Sequence, residues 1–268
     1  MPIVDAQVHL WNAGTPIARH RQVSSFLKED LLAEMDAAGV DRAIIVPPAW
    51  GGDVNDLAID AARAHPDRFR VFGRLPVETP APAEAFARWR DQPGMVGMRF
   101  TFNAPLHRQL LQDGALGWLW EGAAHNGIAL MVNAAGAAEL FGPVAAAHPD
   151  LKLTVDHLGL AAEQDDHAFR NLPALLDLAR YPNVSVKATA LPGHSSEPYP
   201  YRNIHKYLKQ VYDAFGANRV FWASDVTRLT CSYRDYIRLF AEDLDFLPPD
   251  DVAQTMGHGL CDWIGWDY

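Results

Sequence analysis

Short apolar runs alternate with helix-period stretches eight times along this chain, and no other feature constrains its fold as strongly. The apolar runs fall near residues 3–11, 42–48, 69–75, 95–100, 128–133, 151–157, 184–187 and 220–225. Between them lie stretches such as 27–38, where Leu27, Leu31, Met35 and Ala38 form one stripe that stops at Gly39. Most of the strand-like runs are continuously apolar, as in a parallel sheet covered on both faces. Three helical stretches end in His65-Pro66-Asp67, His148-Pro149-Asp150 and Tyr181-Pro182-Asn183, each just before a strand. Proline cannot continue the helix, and Asp or Asn opens the turn. Eight units in 268 residues predict a (β/α)8 TIM barrel, a single domain over 1–268, with these Pro loops at its bottom face. The rival is an open doubly wound sheet, but no Gly-x-Gly-x-x-Gly turn follows the first strand. The bottom placement removes His65, His148 and His125 from the candidate site.

Bulk properties narrow the partners. A net charge of −10 argues against nucleic-acid binding, which needs a basic field. It leaves room for a small anionic substrate in a local arginine pocket. Two cysteines, Cys231 and Cys261, are too few for a disulfide framework and fit no zinc spacing. No basic segment followed by an apolar core opens the chain, and no apolar run is long enough to span a membrane. The expectation is a cytoplasmic protein with reduced thiols and no membrane partner; its oligomeric state is left open.

The tops of the strands carry the chemistry. In the first run, Asp5, Gln7 and His9 alternate with Val4, Ala6, Val8 and Leu10, which predicts a polar face at the barrel mouth. The strand tips supply His9, Trp50 just beyond the second strand, Arg74, Arg99, Asn133, His157, Lys187 and Asp225. A packed barrel layer would be aliphatic instead. Asp225 ends an apolar run and can act as general base toward water. His9, His157 and Asp225 could bind one divalent ion, zinc above all; without metal, the imidazole N–H groups could polarise a carbonyl. Arg99, Lys187 and Arg74 could hold a substrate carboxylate, although Arg74 and Lys187 could equally pair with neighbouring acids. Trp50 and Asn133 would complete the substrate pocket.

Four segments together resemble the amidohydrolase-2 branch of the amidohydrolase superfamily. They are Val4-Asp5-Ala6-Gln7-Val8-His9-Leu10-Trp11, Gly94-Met95-Val96-Gly97-Met98-Arg99-Phe100, Val155-Asp156-His157-Leu158-Gly159 and Trp222-Ala223-Ser224-Asp225. Within that branch the chain is similar to the lactonase-like group that includes 2-pyrone-4,6-dicarboxylate lactonases and sugar-lactone hydrolases. The resemblance implies a distorted barrel with His9 as the second histidine of a first-strand His-x-His motif, His157 as the sixth-strand histidine and Asp225 as the last-strand aspartate. It also implies a substrate-binding role for Arg99. The chain departs from the family pattern at Gln7, where the first histidine would stand, and at Asn133, where metal-binding members place a histidine. Neutral amides are poor zinc ligands, which favours a metal-independent hydrolase, with a single divalent ion as the alternative.

The expectation is therefore hydrolysis of a lactone of a small acidic or sugar-derived molecule. Asp225 would deprotonate water, His9 and His157 would stabilise the oxyanion, and Arg99 would anchor the substrate. A metal-dependent decarboxylase of the same family and a catalytically eroded binding barrel are the alternatives. The Pro- and Tyr-rich stretch 190–203 would be a lid or a rigid loop at the barrel top. Trp263 and Trp266 would pack the tail against the barrel.

Overall fold

A computed structural model describes residues 2–267. Its eight strands are β1 (Val4–Val8), β2 (Arg42–Ile45), β3 (Phe69–Gly73), β4 (Met95–Thr101), β5 (Ala129–Asn133), β6 (Leu153–Val155), β7 (Val184–Thr189) and β8 (Val220–Ala223). They lie in chain order in one parallel sheet. The ends of that sheet meet. The Asp225 N–H donates to the Gln7 carbonyl at 2.9 Å, and the Asp5 carboxylate accepts the Ser224 N–H at 2.9 Å. The result is a nearly closed (β/α)8 barrel, as the alternation predicts.

Helices pack around it: α1 (Lys28–Ala38), α2 (Asp56–Ala64), α3 (Ala83–Ala87), α4 (Pro105–Gln112), α5 (Gly117–His125), α6 (Phe141–Ala147), α7 (Asp165–Ala168), α8 (Leu172–Leu176), α9 (Arg202–Phe215), α10 (Tyr233–Arg238), α11 (Pro249–Ala253) and α12 (Gly259–Ile264). α4 is not foreseen in the sequence reading. Between β6 and β7 the chain forms α7, α8 and a 3-10 turn, Asp177–Arg180, in place of one continuous helix. Pro173 sits in the first turn of α8, so a helix restarts there instead of running through. α10 unwinds into a π turn at Leu239–Asp243. No helix among the described residues is long and apolar enough to cross a membrane.

Ala6, Ile44, Phe72, Met131 and Phe221 belong to one buried cluster, which fills the barrel; Leu260, Cys261 and Trp266 join it from the C-terminal segment. A larger cluster, including Ala43, Ile45, Val71, Val186 and Trp222, lies between strands and helices. Trp266 is buried, with the Arg42 and Arg70 guanidiniums 5.0 and 4.6 Å from its ring, so the tail packs as expected. Cys231 and Cys261 form no disulfide among the described residues.

The clean alternation read into β1 is wrong in one place. Asp5 pairs with Ala43 and Val8 with Ile45, so Ala6 and Gln7 both stand opposite Ile44. This one-residue bulge reverses the facing of the strand. Asp5 therefore turns outward beneath Tyr233 of α10, whose hydroxyl it accepts, while Gln7 and His9 turn inward. The 190–203 segment is well packed, with Leu191, His194, Ser195 and Tyr201 buried. Its Ser195 hydroxyl donates to Asn203 at 2.6 Å, in keeping with the rigid-loop reading.

Candidate active site

Asp225 and His157 lie two residues past the ends of β8 and β6, and both adopt left-handed backbone conformations, with φ of 49° and 54°. Such angles are disfavoured for residues with a side chain and persist where surrounding structure enforces them, often at functional sites. The expected strand over 151–157 thus ends at Val155, and the turn that replaces its tip aims His157 into the barrel mouth. His9, His157 and Asp225 come together there with Gln7. The Gln7 Nε2 lies 3.4 Å from His9 Nε2, 3.3 Å from His157 Nε2 and 3.5 Å from Asp225 Oδ2.

Beneath this group is a fully buried ion network. The Lys187 ammonium reaches Asp156 Oδ1 at 2.8 Å and Gln7 Oε1 at 2.6 Å. Arg99 Nε donates to Asp156 Oδ2 at 2.9 Å. Lys187 is thus on the barrel's inner face but wholly enclosed, its charge matched by Asp156. Arg99 is 5% exposed and tied to Asp156 and Thr101. Arg74 Nε meets Asp53 at 3.0 Å, while its NH1 is buried with no hydrogen-bond partner. Trp50 Nε1, Asn133 Oδ1 and Asp225 Oδ1 are likewise buried and without partners. Four of the eight tip residues therefore hold a buried polar atom that no protein group satisfies. Asn133 makes no hydrogen bond to the His–Asp group among the described residues.

Protonation states follow from partners. The His9 Nδ1 lies 2.6 Å from the Val46 carbonyl, which can only accept, so Nδ1 carries the proton. Burial pushes His9 down to about 4, so its Nε2 presents a lone pair. That nitrogen stands 3.4 Å from Asp225 Oδ1. Burial alone would raise the Asp225 carboxyl, but the positive charge around it, including Arg228 and Arg99, holds it below the usual carboxylate range. His157 is kept neutral by burial first, then by Arg228, Arg99 and Lys187. Its Nδ1 faces Arg228 NH1 at 3.4 Å while its Nε2 faces the Gln7 amide nitrogen. Neutral imidazole has one acceptor nitrogen, so these two donors compete for it.

Two residues of this site carry no strand-tip signal. His20, in the loop after β1, has its ring 5.4 Å from His9 and 4.7 Å from Trp50. Its Nδ1 is 2.8 Å from the Thr227 hydroxyl and 3.9 Å from Asp225 Oδ1. Arg228, one turn beyond Asp225, places NH1 3.4 Å from Asp225 Oδ2. Sequence spacing could have flagged Arg228 as i+3 to the acid; His20 could be found only by folding the loop.

Among the described residues, the group able to hold a metal ion is His9, His20 and Asp225, with ligand atoms within 4.8 Å of one another. The sequence reading has His157 in that set. Three such ligands fit one divalent ion, and the bond from His9 Nδ1 to Val46 fixes the ring as an outer partner does for a metal-ligating histidine. Asp225 uses Oδ1 toward this group and Oδ2 toward Gln7 and Arg228, so the two environments do not compete.

A sequence model of the amidohydrolase family matches residues 4–258. The chain belongs to the amidohydrolase family. This amidohydrolase is 26% identical over 281 residues to L-fucono-1,5-lactonase of Burkholderia ambifaria, spanning 96% of this chain and 93% of that protein. It is a hydrolase. An amidohydrolase from Burkholderia multivorans with bound Zn superposes on it with a TM-score of 0.82 at 22% identity, covering 99% of both chains. A probable 2-pyrone-4,6-dicarboxylic acid hydrolase from Acinetobacter baumannii, with citric acid bound, gives 0.77 at 14% identity over 99% of this amidohydrolase and 100% of that chain. At these identities the structural likeness establishes the fold.

Proposed function

We propose that this amidohydrolase opens a lactone of a small acidic or sugar-derived molecule by adding water to its carbonyl. The observation that carries the reading is the pair formed by the Asp225 carboxylate, whose Oδ1 has no hydrogen-bond partner, and the His9 Nε2 lone pair 3.4 Å away. Two acceptors at that distance have no proton to share, and a water molecule supplies one to each. The likeness to an L-fucono-1,5-lactonase supports a cyclic ester as the substrate.

In this reading, Asp225 takes a proton from water as the water oxygen bonds to the carbonyl carbon. His9 orients that water through Nε2. The sequence reading gives His9 an N–H for the oxyanion; its Nδ1–H is already committed to Val46, so donation falls to the Gln7 amide and to His157 in its Nε2–H tautomer. Collapse of the tetrahedral adduct breaks the ring C–O bond, and Asp225 returns its proton to the leaving alkoxide, which leaves a hydroxy acid. Arg99, Arg74, Trp50 and Asn133 line the substrate's side of the pocket, and Lys187 acts through Gln7. A divalent ion held by His9, His20 and Asp225 would add Lewis-acid polarisation of the carbonyl. The test is turnover of sugar and carboxylated lactones by the wild type and Asp225→Asn, with carboxylated phenols as decarboxylation controls. Loss of a general base should lower kcat by roughly 100- to 10,000-fold. An Asp225→Asn enzyme of full activity removes Asp225 from the mechanism.

A further inference from the structure

An open cleft of about 680 Å³ lies at the barrel top, with Arg19, Arg228, Glu163, Asp165 and Ala190 in its wall. Arg228 joins it to the site already described, because the same guanidinium stands 3.4 Å from Asp225 Oδ2. We propose that this cleft is a subsite for an anionic group of the substrate, a carboxylate, held between Arg19 and Arg228.

The charges in the cleft are unequally engaged. Its two acids already have partners. Glu163 is paired with Arg170, and Asp165 Oδ1 accepts the Ser196 N–H at 2.8 Å and the Asn203 amide at 2.6 Å. Arg19 has no hydrogen-bond or ion-pair partner among the described residues. Arg228 is held only by contacts of 3.4 Å, to Asp225 and His157, and its side chain is 14% exposed. Two guanidiniums that face one cleft repel each other, and an anion between them relieves that repulsion. Their joint field reaches further. His194, whose Nδ1 meets the Glu163 carbonyl at 2.9 Å, is pushed down to about 4 by burial and then by Arg228 and Arg19. The cleft backbone is also constrained, since Asp165 and Ala190 both adopt positive φ, at 54° and 49°. Planar guanidiniums match a carboxylate in bidentate fashion, which favours that anion over a spherical one.

This assignment deepens the lactonase reading by giving the substrate an acidic arm directed away from the reacting carbonyl, but the binding step can be tested without turnover. Calorimetric titration of the full chain with malonate, and separately with inorganic phosphate, reads the site directly. Malonate should bind the wild type, and about 10- to 100-fold more weakly to Arg19→Gln, as expected for losing one charged contact. Arg19 is exposed and unpartnered, so an unchanged melting temperature will show that the variant folds. In the kinetic arm, the ratio of kcat/KM for a carboxylated lactone over its neutral counterpart should fall in Arg19→Gln and recover in Arg19→Lys. Equal malonate affinity in wild type and variant, or none in either, overturns the subsite. Phosphate binding tighter than malonate overturns its assignment to a carboxylate. If malonate binds as described yet no lactone turns over, the reaction assignment fails and the subsite stands.

Discussion

Lys187 Nζ lies 2.6 Å from Gln7 Oε1, and this contact decides which way the amide points. An ammonium can only donate, so the oxygen of Gln7 must face down and its NH2 must face the imidazoles and Asp225. The position that the family pattern assigns to a metal-ligating histidine is thereby filled with an N–H donor. The same lysine also neutralises Asp156 alongside Arg99. Lys187→Met should leave Asp156 underpaired in a dry interior and cost about 3–5 kcal/mol of stability, read as a lower urea midpoint. Lys187→Met combined with Asp156→Leu should recover part of that loss. A single variant as stable as the wild type would show that the pair contributes nothing net.

Zinc titrated into metal-stripped protein separates the two possible ligand sets. If His9, His20 and Asp225 hold the ion, His20→Ala should lose more affinity than the roughly 10- to 100-fold typical of losing an outer partner. His157→Gln should bind zinc nearly as the wild type does. The reverse order would return His157 to the set expected from the sequence.

Much of this molecule is legible in its sequence because the relevant signals are local. Eight apolar runs and the Pro-Asp and Pro-Asn turns suffice for the barrel and its polarity, and an ionisable residue at the end of an apolar run suffices for His157 and Asp225. What escapes is non-local. Asp5 reads as a mouth residue because a period of two carries no sign of a bulge, and the bulge alone sends it outward. For Lys187 the sequence leaves a substrate anchor and an ion pair equally open, because its buried partner, Asp156, lies on another strand's end. His20 sits in an irregular loop, where neither period nor register says what it will approach.

The pH profile of activity tests the neutral state of His9. Burial pushes its folded pKa down to about 4, so Nε2 keeps its lone pair at every higher pH. The Asp225 carboxyl is also held low. Since kcat/KM reports groups of the free enzyme, it should be flat from about pH 5 to pH 8 and fall only toward pH 4. An inflection near the ordinary histidine value of 6.5 would mean that His9 titrates freely in the mouth.

Asp5 should give the protein a stability slope opposite to that of an ordinary paired carboxylate. Burial raises it from 3.8 to about 6 despite bonds from Ser224, Tyr233 and Gln7. Its Oδ1 accepts two backbone N–H groups, from Gln7 at 3.0 Å and Ser224 at 2.9 Å. Oδ2 faces two hydroxyls, those of Ser224 and Tyr233, which can rotate to accept a proton instead. The folded state therefore binds the Asp5 proton more tightly than the unfolded chain. This contribution is complete below about pH 3.8 and is lost as pH rises through about 6. The shift corresponds to a loss on the order of 3 kcal/mol. Asp5→Asn keeps the Oδ1 acceptor and puts an N–H2 donor where the proton would sit. Subtracting its urea-unfolding free energies from those of the wild type between pH 4 and pH 7 should isolate the slope, with the wild type losing ground to the variant as pH rises. Parallel curves would mean that the seam between β8 and β1 holds an already ionised carboxylate.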